Sequence, residues 1–276
     1  MLKRAFIFLF SLICLVLSLI PAFTLGENSY WKPLILNQAE QGELPEVETF
    51  VYGQSELGRD LYCTRVGSRE AERKILMVFA VHGFEDLYAH DGEILMNIAH
   101  EMLTRYAAGE ALVENVALYI VPCANPDGLE EGINSHGFGR CNALKLDINR
   151  DFPVEWSKSE SVRYLTGDSP LSTAEARALV SLINEISPTW GGDVHGFLSG
   201  VYGPDNLTQP FRTAMGVVIR QETTGGKLSQ YLNAQCPEGG LLIELKKPET
   251  IGGPYIREMA GLLMEGIALV EGAKTE

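Results

Sequence analysis

The sequence lacks several short motifs that mark common enzyme classes. It has no Gly-x-Ser-x-Gly segment and no glycine-rich phosphate loop. His100 and Glu101 begin like the helical His-Glu-x-x-His zinc motif, but position 104 is Thr, so that motif is excluded. No low-complexity stretch, heptad run or internal repeat divides the chain. With 276 residues, 46% of them apolar, one domain with a large core is the simplest organisation.

Positive charge and cysteine are both scarce. The chain has 22 Lys and Arg residues against 36 Asp and Glu, a net charge of −14, which argues against nucleic acid or an anionic membrane surface as a partner. No two cysteines are spaced as Cys-x-x-Cys, so a zinc knuckle is not expected. Four cysteines follow residue 26, and the sequence does not decide whether they pair.

The first 26 residues have the order of an export signal. Lys3 and Arg4 precede an apolar run over residues 5–20, and Pro21 and small or polar residues follow. The run is slightly shorter than the ~20 residues that cross a bilayer, so we expect a cleaved signal peptide over residues 1–26 rather than an uncleaved anchor. Residues 27–276 are then one secreted or extracytoplasmic domain, which touches a membrane only if the signal stays attached.

Apolar runs alternate with amphipathic segments along the rest of the chain. The apolar runs predict strands over residues 46–52, 61–66, 74–81, 116–121, 190–195 and 240–245. The amphipathic segments predict helices over residues 91–106, 172–186 and 254–270. Asp91 is the expected N-cap of the first helix, and Ser172 to Glu175 is the expected capping box of the second. This alternation predicts the α/β class, with a sheet covered by helices on both faces.

Residues with metal-binding groups follow the ends of these strands. His82 and Glu85 form a His-x-x-Glu pair directly after one strand, and His195 ends another, two residues after Asp193, which is a candidate to orient a neighbour. Sites in such sheets gather beyond the carboxyl ends of strands, so these side chains are expected to meet. Two imidazoles and one carboxylate leave tetrahedral zinc an open position, which predicts one catalytic Zn²⁺ per chain. Alone, a His-x-x-Glu pair is a weak signal.

The loop over residues 123–153 carries the most specific pattern. It contains Asn125-Pro126-Asp127-Gly128, then Gly139-Arg140-Cys141-Asn142, then Asp147-Ile148-Asn149-Arg150-Asp151-Phe152-Pro153. With the His-x-x-Glu pair, the distant His195 and the late segment Leu242-Ile243-Glu244-Leu245, this ordered set resembles the M14 zinc carboxypeptidase family. The resemblance runs from about Tyr52 to Pro248. It implies a mixed, mostly parallel twisted sheet and a zinc-dependent catalytic domain.

The resemblance also implies a role for each matching residue. His82, Glu85 and His195 match the zinc ligands, and Asp147 matches a residue that orients His82 from behind. Glu244 matches the general base, which takes a proton from water and passes it to the leaving amine.

The substrate-binding roles come from the same resemblance. Arg140 matches the arginine that stabilises the oxyanion, and Asn149 and Arg150 match the pair that grips the terminal carboxylate of the substrate. The expected substrate is therefore a peptide or muropeptide with a free C-terminal carboxylate.

The chain departs from digestive carboxypeptidases between His195 and Glu244, where the stretch is short. In those enzymes this stretch carries the specificity pocket and a mobile tyrosine; Tyr231 is the nearest candidate, but its spacing to Glu244 does not match. The compact form resembles instead the bacterial murein-peptide amidase branch, which releases diaminopimelate from γ-D-glutamyl links.

The expected activity is hydrolysis of the bond next to a C-terminal residue, in murein or ordinary peptides. Two alternatives stay open. A zinc deacylase would cleave N-acyl amino acids but not peptides. A non-catalytic wall- or peptide-binding module would be expected to have lost the base or a metal ligand, and all four of these residues are present.

Overall fold

The structure, a computed structural model, describes residues 45–110, 115–134, 137–221 and 224–272. The predicted signal segment over residues 1–26 lies outside these ranges. Among the described residues, no helix combines the length and the apolar character that a membrane crossing requires.

Within the described ranges, eight strands form one mixed sheet in the order β1-β2-β4-β3-β5-β8-β6-β7. The four central strands, β4, β3, β5 and β8, are parallel to one another, while β2 and β6 join them antiparallel on either side. The strands are β1 (Val47–Gln54), β2 (Asp60–Val66), β3 (Arg73–Phe79), β4 (Val116–Val121), β5 (Trp190–Gly196), β6 (Gly200–Tyr202), β7 (Val218–Arg220) and β8 (Gly240–Leu245).

Helices cover both faces of the sheet because the central strands are apolar on both. In β3, Ile75, Met77 and Phe79 belong to one core cluster, and the alternate residues Leu76 and Val78 belong to the other. In the described part of the chain, the α-helices are α1 (Gly92–Ala107), α2 (Pro126–Glu131), α3 (Ala174–Ile186), α4 (Asp205–Met215), α5 (Leu228–Gln235) and α6 (Gly253–Gly272). Helices α1, α4 and α6 pack on the first face, and α3 and α5 pack on the second. The predicted α/β fold with a mostly parallel sheet is confirmed.

Asp91 is the N-cap residue of α1 as predicted, without a capping hydrogen bond from its side chain, and the predicted capping box of α3 is wrong. The N-cap of α3 is Thr173 rather than Ser172, and the Thr173 hydroxyl accepts from the backbone N–H of Ala176. The Glu175 carboxylate, which a capping box would turn back to the helix start, instead accepts from the side chain of Asn142. In each case the carboxylate accepts hydrogen bonds from a neighbouring loop instead of from the end of its own helix.

Several elements were not predicted from the sequence. Helices α4 and α5 and the three-residue strands β6 and β7 lie in the stretch between His195 and Glu244. The predicted long loop over residues 123–153 contains α2 and a short 3₁₀ turn over Ile148–Arg150. Cys63, Cys123, Cys141 and Cys236 are buried and free, so no disulfide links the described part of the chain.

Candidate metal centre

Strand pairing brings the predicted site residues to one edge of the sheet. The end of β3 pairs with β5, with Phe79 opposite Val194, and His195 of β5 lies opposite Glu244 of β8. Paired positions on adjacent strands project to the same face, so His195 and Glu244 become neighbours although 48 residues lie between them in the chain. His82 follows β3 at the same edge.

The loop after β3 is held in place by two packing features. A Cβ at Gly83 would lie 2.1 Å from the backbone of Gly128, so only glycine permits the approach of this loop to α2. The carboxylate of Asp91 accepts the backbone N–H groups of Glu85, Leu87 and Tyr88, at 2.6, 2.7 and 3.1 Å. Asp91 therefore fixes the backbone that carries Glu85. The sequence offered no signal for this contact, because a helix N-cap explains the same aspartate.

Two imidazoles and a carboxylate converge in this region. Nδ1 of His195 lies 2.8 Å from one carboxylate oxygen of Glu85, and Nδ1 of His82 lies 3.4 Å from the other. One candidate ligand atom from each of the three residues lies within 4.8 Å of the other two. All three side chains are at least 95% buried.

Each imidazole is held from behind by a carboxylate. Nε2 of His82 lies 3.0 Å from Asp147, and Nε2 of His195 lies 2.8 Å from Asp193. The Asp147 carboxylate accepts a hydrogen bond from Nε2 of His82, so Nδ1 of His82 keeps a lone pair for a metal ion. Nε2 of His195 also lies 2.9 Å from the amide nitrogen of Asn149, and Nδ1 of His195 faces the Glu85 carboxylate. The Nδ1 atom of His82 is buried and makes no hydrogen bond to any described residue.

The electrostatics of the cluster favour a cation. Burial raises the pKa of Glu85, but the imidazoles of His82 and His195 outweigh it and hold that pKa well below its ordinary value. Burial likewise raises the pKa of Asp147, and His82 and Arg140 bring it below its ordinary value. The donor set, the Nδ1 atom of His82 that makes no hydrogen bond, and the carboxylates behind both imidazoles fit a zinc ion with an open position.

Glu244 faces this cluster, and its surroundings shift its pKa. Its Oε2 atom is buried and finds no hydrogen-bond partner among the described residues. Burial raises the pKa of Glu244, and the nearby His195 offsets only part of that rise. A carboxylate with a raised pKa is suited to taking up a proton and releasing it again.

The two arginines of the loop lie beside the cluster. Arg140 is buried, with guanidinium nitrogens 3.6 Å from Glu85 and 3.8 Å from Asp147. Arg150 donates to the backbone oxygen of Asn149 at 2.6 Å, and its guanidinium stacks 4.8 Å from the ring centre of Tyr164.

Asn149 is already engaged by the protein at both ends of its amide. Its Nδ2 donates to Asp193 at 3.0 Å, and its Oδ1 accepts from the backbone N–H of Leu228 at 2.8 Å. Asn149 is 3% exposed, so a direct grip on a substrate carboxylate would have to break one of these bonds. The geometry favours a positioning role for Asn149.

The cluster opens into a cavity of about 890 Å³. His82, Glu85, His195 and Glu244 line it together with Arg140, Asn149 and Arg150. Tyr231 does not line it; this residue is 7% exposed and packs against Phe152 in the core. Tyr164, Tyr202 and Lys227, which the sequence analysis did not single out, do line it.

Comparisons with known proteins show the family and the fold of this chain. The family model of the zinc carboxypeptidases, Peptidase_M14, matches residues 36–215, well over half of the chain. The match includes His82, Glu85 and His195 and ends before Glu244. Murein peptide amidase A of Escherichia coli K12 is 30% identical over 222 residues, which cover 72% of this chain and 83% of the relative. Bacteriocin BCN5 of Clostridium perfringens is 35% identical over 179 residues, but the chain spans only 20% of that longer protein.

Solved structures show the same fold. The murein-tripeptide amidase of Escherichia coli O157 superimposes with a TM-score of 0.59 at 25% identity, over 84% of this chain and 96% of that one. A carboxypeptidase A from Helicoverpa armigera superimposes with a TM-score of 0.66 at 18% identity, over 83% of this chain and 70% of that one. With its family model matched over most of its length, this chain belongs to the zinc carboxypeptidase family, a family of zinc hydrolases.

Proposed function

We propose that this protein hydrolyses the peptide or amide bond next to a C-terminal residue, with murein peptides as its substrate. The observation that carries the proposal is the arrangement of His82, Glu85 and His195 around one point, with Glu244 facing it inside an 890 Å³ cavity. The similarity to murein peptide amidase A, which covers 83% of that relative, supports murein peptides as the substrate. An exported protein would meet such peptides outside the cytoplasm, which agrees with the signal expected over residues 1–26.

In this proposal, His82, Glu85 and His195 hold the zinc ion, and Asp147 and Asp193 fix the two imidazoles with Nδ1 toward it. Zinc, when bound, acts as a Lewis acid that polarises a carbonyl group and makes water more acidic. Glu244 takes one proton from the attacking water and delivers it to the amine that leaves when the C–N bond breaks. Its raised pKa lets it do both.

The arginines act on the substrate. Arg140 lies close enough to the cluster to stabilise the negative charge that develops on the carbonyl oxygen. Arg150 lines the cavity and binds the terminal carboxylate through paired hydrogen bonds, which selects substrates with a free C-terminus. Asn149 contacts Asp193, His195 and the backbone at the start of α5, and so fixes their relative positions.

The experiment compares Glu244→Gln with a control, Glu249→Gln, which makes the same change at an exposed position. Glu244→Gln should reduce hydrolysis by at least about a hundredfold, the lower range for loss of a general acid–base group, while the zinc content stays at one ion per chain. Products from muropeptides, ordinary peptides and N-acyl amino acids are identified by mass spectrometry. Retained turnover in Glu244→Gln contradicts the assigned base. Hydrolysis confined to ordinary peptides removes the murein substrate, and hydrolysis confined to N-acyl amino acids favours a deacylase.

A further inference from the structure

Tyr164 lies against three guanidinium groups inside the cavity. Its ring centre lies 4.8 Å from the guanidinium carbon of Arg150, 5.8 Å from that of Arg140 and 5.6 Å from that of Arg163. All three distances fall within the about 6 Å at which the face of an aromatic ring attracts a cation. All four side chains line the cavity. One ring therefore lies beside both arginines to which the proposed function gives a role in substrate binding.

The core of the protein does not need this ring. Tyr164 is 37% exposed and belongs to neither of the two core clusters. Its backbone lies in a short 3₁₀ turn over Val162–Tyr164, and its hydroxyl accepts a hydrogen bond from Nε of Arg163 at 3.3 Å. Planar guanidinium groups stack on aromatic faces, so the arginines explain the position of the ring better than packing does.

The segment after Tyr164 is fixed against the turn that carries Arg150. The backbone oxygen of Leu165 accepts the backbone N–H of Asp147 at 2.8 Å. Asp147 is the N-cap residue of the 3₁₀ turn that ends at Arg150. The backbone therefore sets the distance between this ring and this guanidinium group.

The segment before Tyr164 is fixed beside Arg140. The backbone oxygen of Arg163 accepts a hydrogen bond from the thiol of Cys141, the residue after Arg140, at 3.8 Å. The side chain of Arg163 forms an ion pair with Asp86, on the loop after β3. Ordering a long arginine side chain costs conformational entropy, and a fixed ring that already restricts the guanidinium group reduces this cost when the substrate binds.

We propose that Tyr164 is a positioning residue that holds the guanidinium groups of Arg150 and Arg140 in the orientation in which they meet the substrate. This inference rests on the proposed function, in which Arg150 binds the terminal carboxylate and Arg140 stabilises the oxyanion. Tyr164 acts through the two arginines, because the face of its ring attracts their charge. Arg150 lies nearer to the ring, so the effect on substrate binding exceeds the effect on the chemical step.

The first test compares Tyr164→Leu, which removes the ring, with Tyr164→Phe, which keeps the ring and removes the hydroxyl. Tyr164→Leu should raise KM about fivefold to thirtyfold, the range of a cation–π contact between exposed and desolvated settings, and should lower kcat by a smaller factor. Tyr164→Phe should keep KM within about twofold of the wild type, because its ring face is retained. Tyr62→Leu makes the same change on β2, away from the cavity, and should leave both constants unchanged. An equal rise of KM in Tyr164→Phe and Tyr164→Leu overturns the inference.

A double-variant cycle shows whether the ring acts through Arg150. In an Arg150→Met background, Tyr164→Leu should change KM by less than about twofold, because no guanidinium group is left there to position. If the effects of the two changes on KM multiply instead, Tyr164 acts independently of Arg150 and the inference is overturned.

A binding measurement separates this inference from the proposed function. The probes are a γ-glutamyl peptide and an ordinary peptide, each made with a C-terminal carboxylate and with a C-terminal carboxamide. Their binding to zinc-loaded Glu244→Gln protein, with and without Tyr164→Leu, is measured by calorimetry. Tyr164→Leu should weaken binding of the carboxylate form and leave binding of the carboxamide form unchanged.

The outcomes of this measurement are distinct. If the wild type hydrolyses neither peptide, the proposed function fails, while a preference for the carboxylate that depends on the Tyr164 ring still supports the inference. An equal loss of affinity for both forms in Tyr164→Leu overturns it, because the ring would then contact the substrate or stabilise the fold without acting through the arginine. Equal affinity for the two forms before the substitution also overturns it.

Discussion

The metal-binding edge of the sheet differs in construction from the cationic wall of the cavity, which consists of Arg140, Arg150, Lys158, Arg163 and Lys227. His195 and Glu244 lie on paired parallel strands, His82 follows a third, and each imidazole has a buried carboxylate behind it. The cationic wall comes from connecting segments, and some of its ion pairs are exposed, such as Lys158 with Asp168. Rigid strands therefore fix the reacting groups, and the loops decide which substrate reaches them. Changes at the edge should affect metal and chemistry, whereas changes in the wall should affect recognition.

The largest effect is expected at the edge itself. His195→Ala removes one of the three candidate ligands, leaves Asp193 without its imidazole partner and leaves Glu85 with only that of His82. We expect loss of stoichiometric zinc and of hydrolysis. His100→Ala serves as the control, because His100 lies on α1 and does not line the cavity. Zinc content is measured by mass spectrometry after dialysis. A His195→Ala protein that keeps one zinc per chain would contradict the role of this edge in metal binding.

A smaller effect is expected for the carboxylate that supports a metal-binding imidazole. Asp193→Asn keeps the shape of the side chain but removes the charge that holds Nε2 of His195. Zinc affinity should fall about 10- to 100-fold, as is typical when such a supporting partner is lost. Competition with a chromophoric chelator measures the affinity. Asp205→Asn, an exposed change on α4, should leave it unaltered, and an unaltered affinity in Asp193→Asn would remove the role of this carboxylate.

The cationic wall should respond in KM rather than in metal content. Arg150→Lys keeps the charge but loses the planar fork that binds a carboxylate by two hydrogen bonds. We expect KM to rise about tenfold or more, from the loss of one charge-assisted hydrogen bond, with zinc content unchanged. Arg257→Lys, an exposed change on α6, is the matched control. If the Arg150→Lys protein instead loses its zinc, the metal-binding edge and the cationic wall do not act independently.

The smallest effect is expected away from both regions. Thr173→Ala removes the hydroxyl that caps α3 and that donates to Asp151. The free energy of unfolding should fall by about 1–2 kcal/mol, the usual cost of losing such a cap. Urea unfolding measures the change, and kcat/KM should stay within twofold of the wild type. A large loss of activity without loss of stability would show that this helix end communicates with the site.

Much of the fold was predictable because the central strands carry an unambiguous signal. β4 and β8 have the predicted bounds, since a short apolar run between polar turns describes a strand buried on both faces. Helices α4 and α5 were missed for the opposite reason. α4 contains Pro210, and α5 has only eight residues, so neither gives a clear helical pattern.

The site was predictable to the extent that it lies at strand ends. His82, His195 and Glu244 each follow or end an apolar run, and the ordered motifs assigned their roles by resemblance. The supporting contacts of Asp91 and the position of Lys227 were not predictable. The first depends on the contact between the Asp91 carboxylate and the loop after β3, and the second on the close approach of Gly226 to the backbone of Arg150. Both contacts form only in the folded chain.

The central claim is that His82, Glu85 and His195 hold one zinc ion opposite Glu244. Anomalous diffraction at the zinc edge from crystals of the zinc-loaded protein tests it most directly. The account predicts one peak per chain at about 2.0–2.2 Å from Nδ1 of His82, Nδ1 of His195 and the Glu85 carboxylate, the usual zinc bond lengths. A peak held by other residues, or no peak at this edge of the sheet, would contradict it.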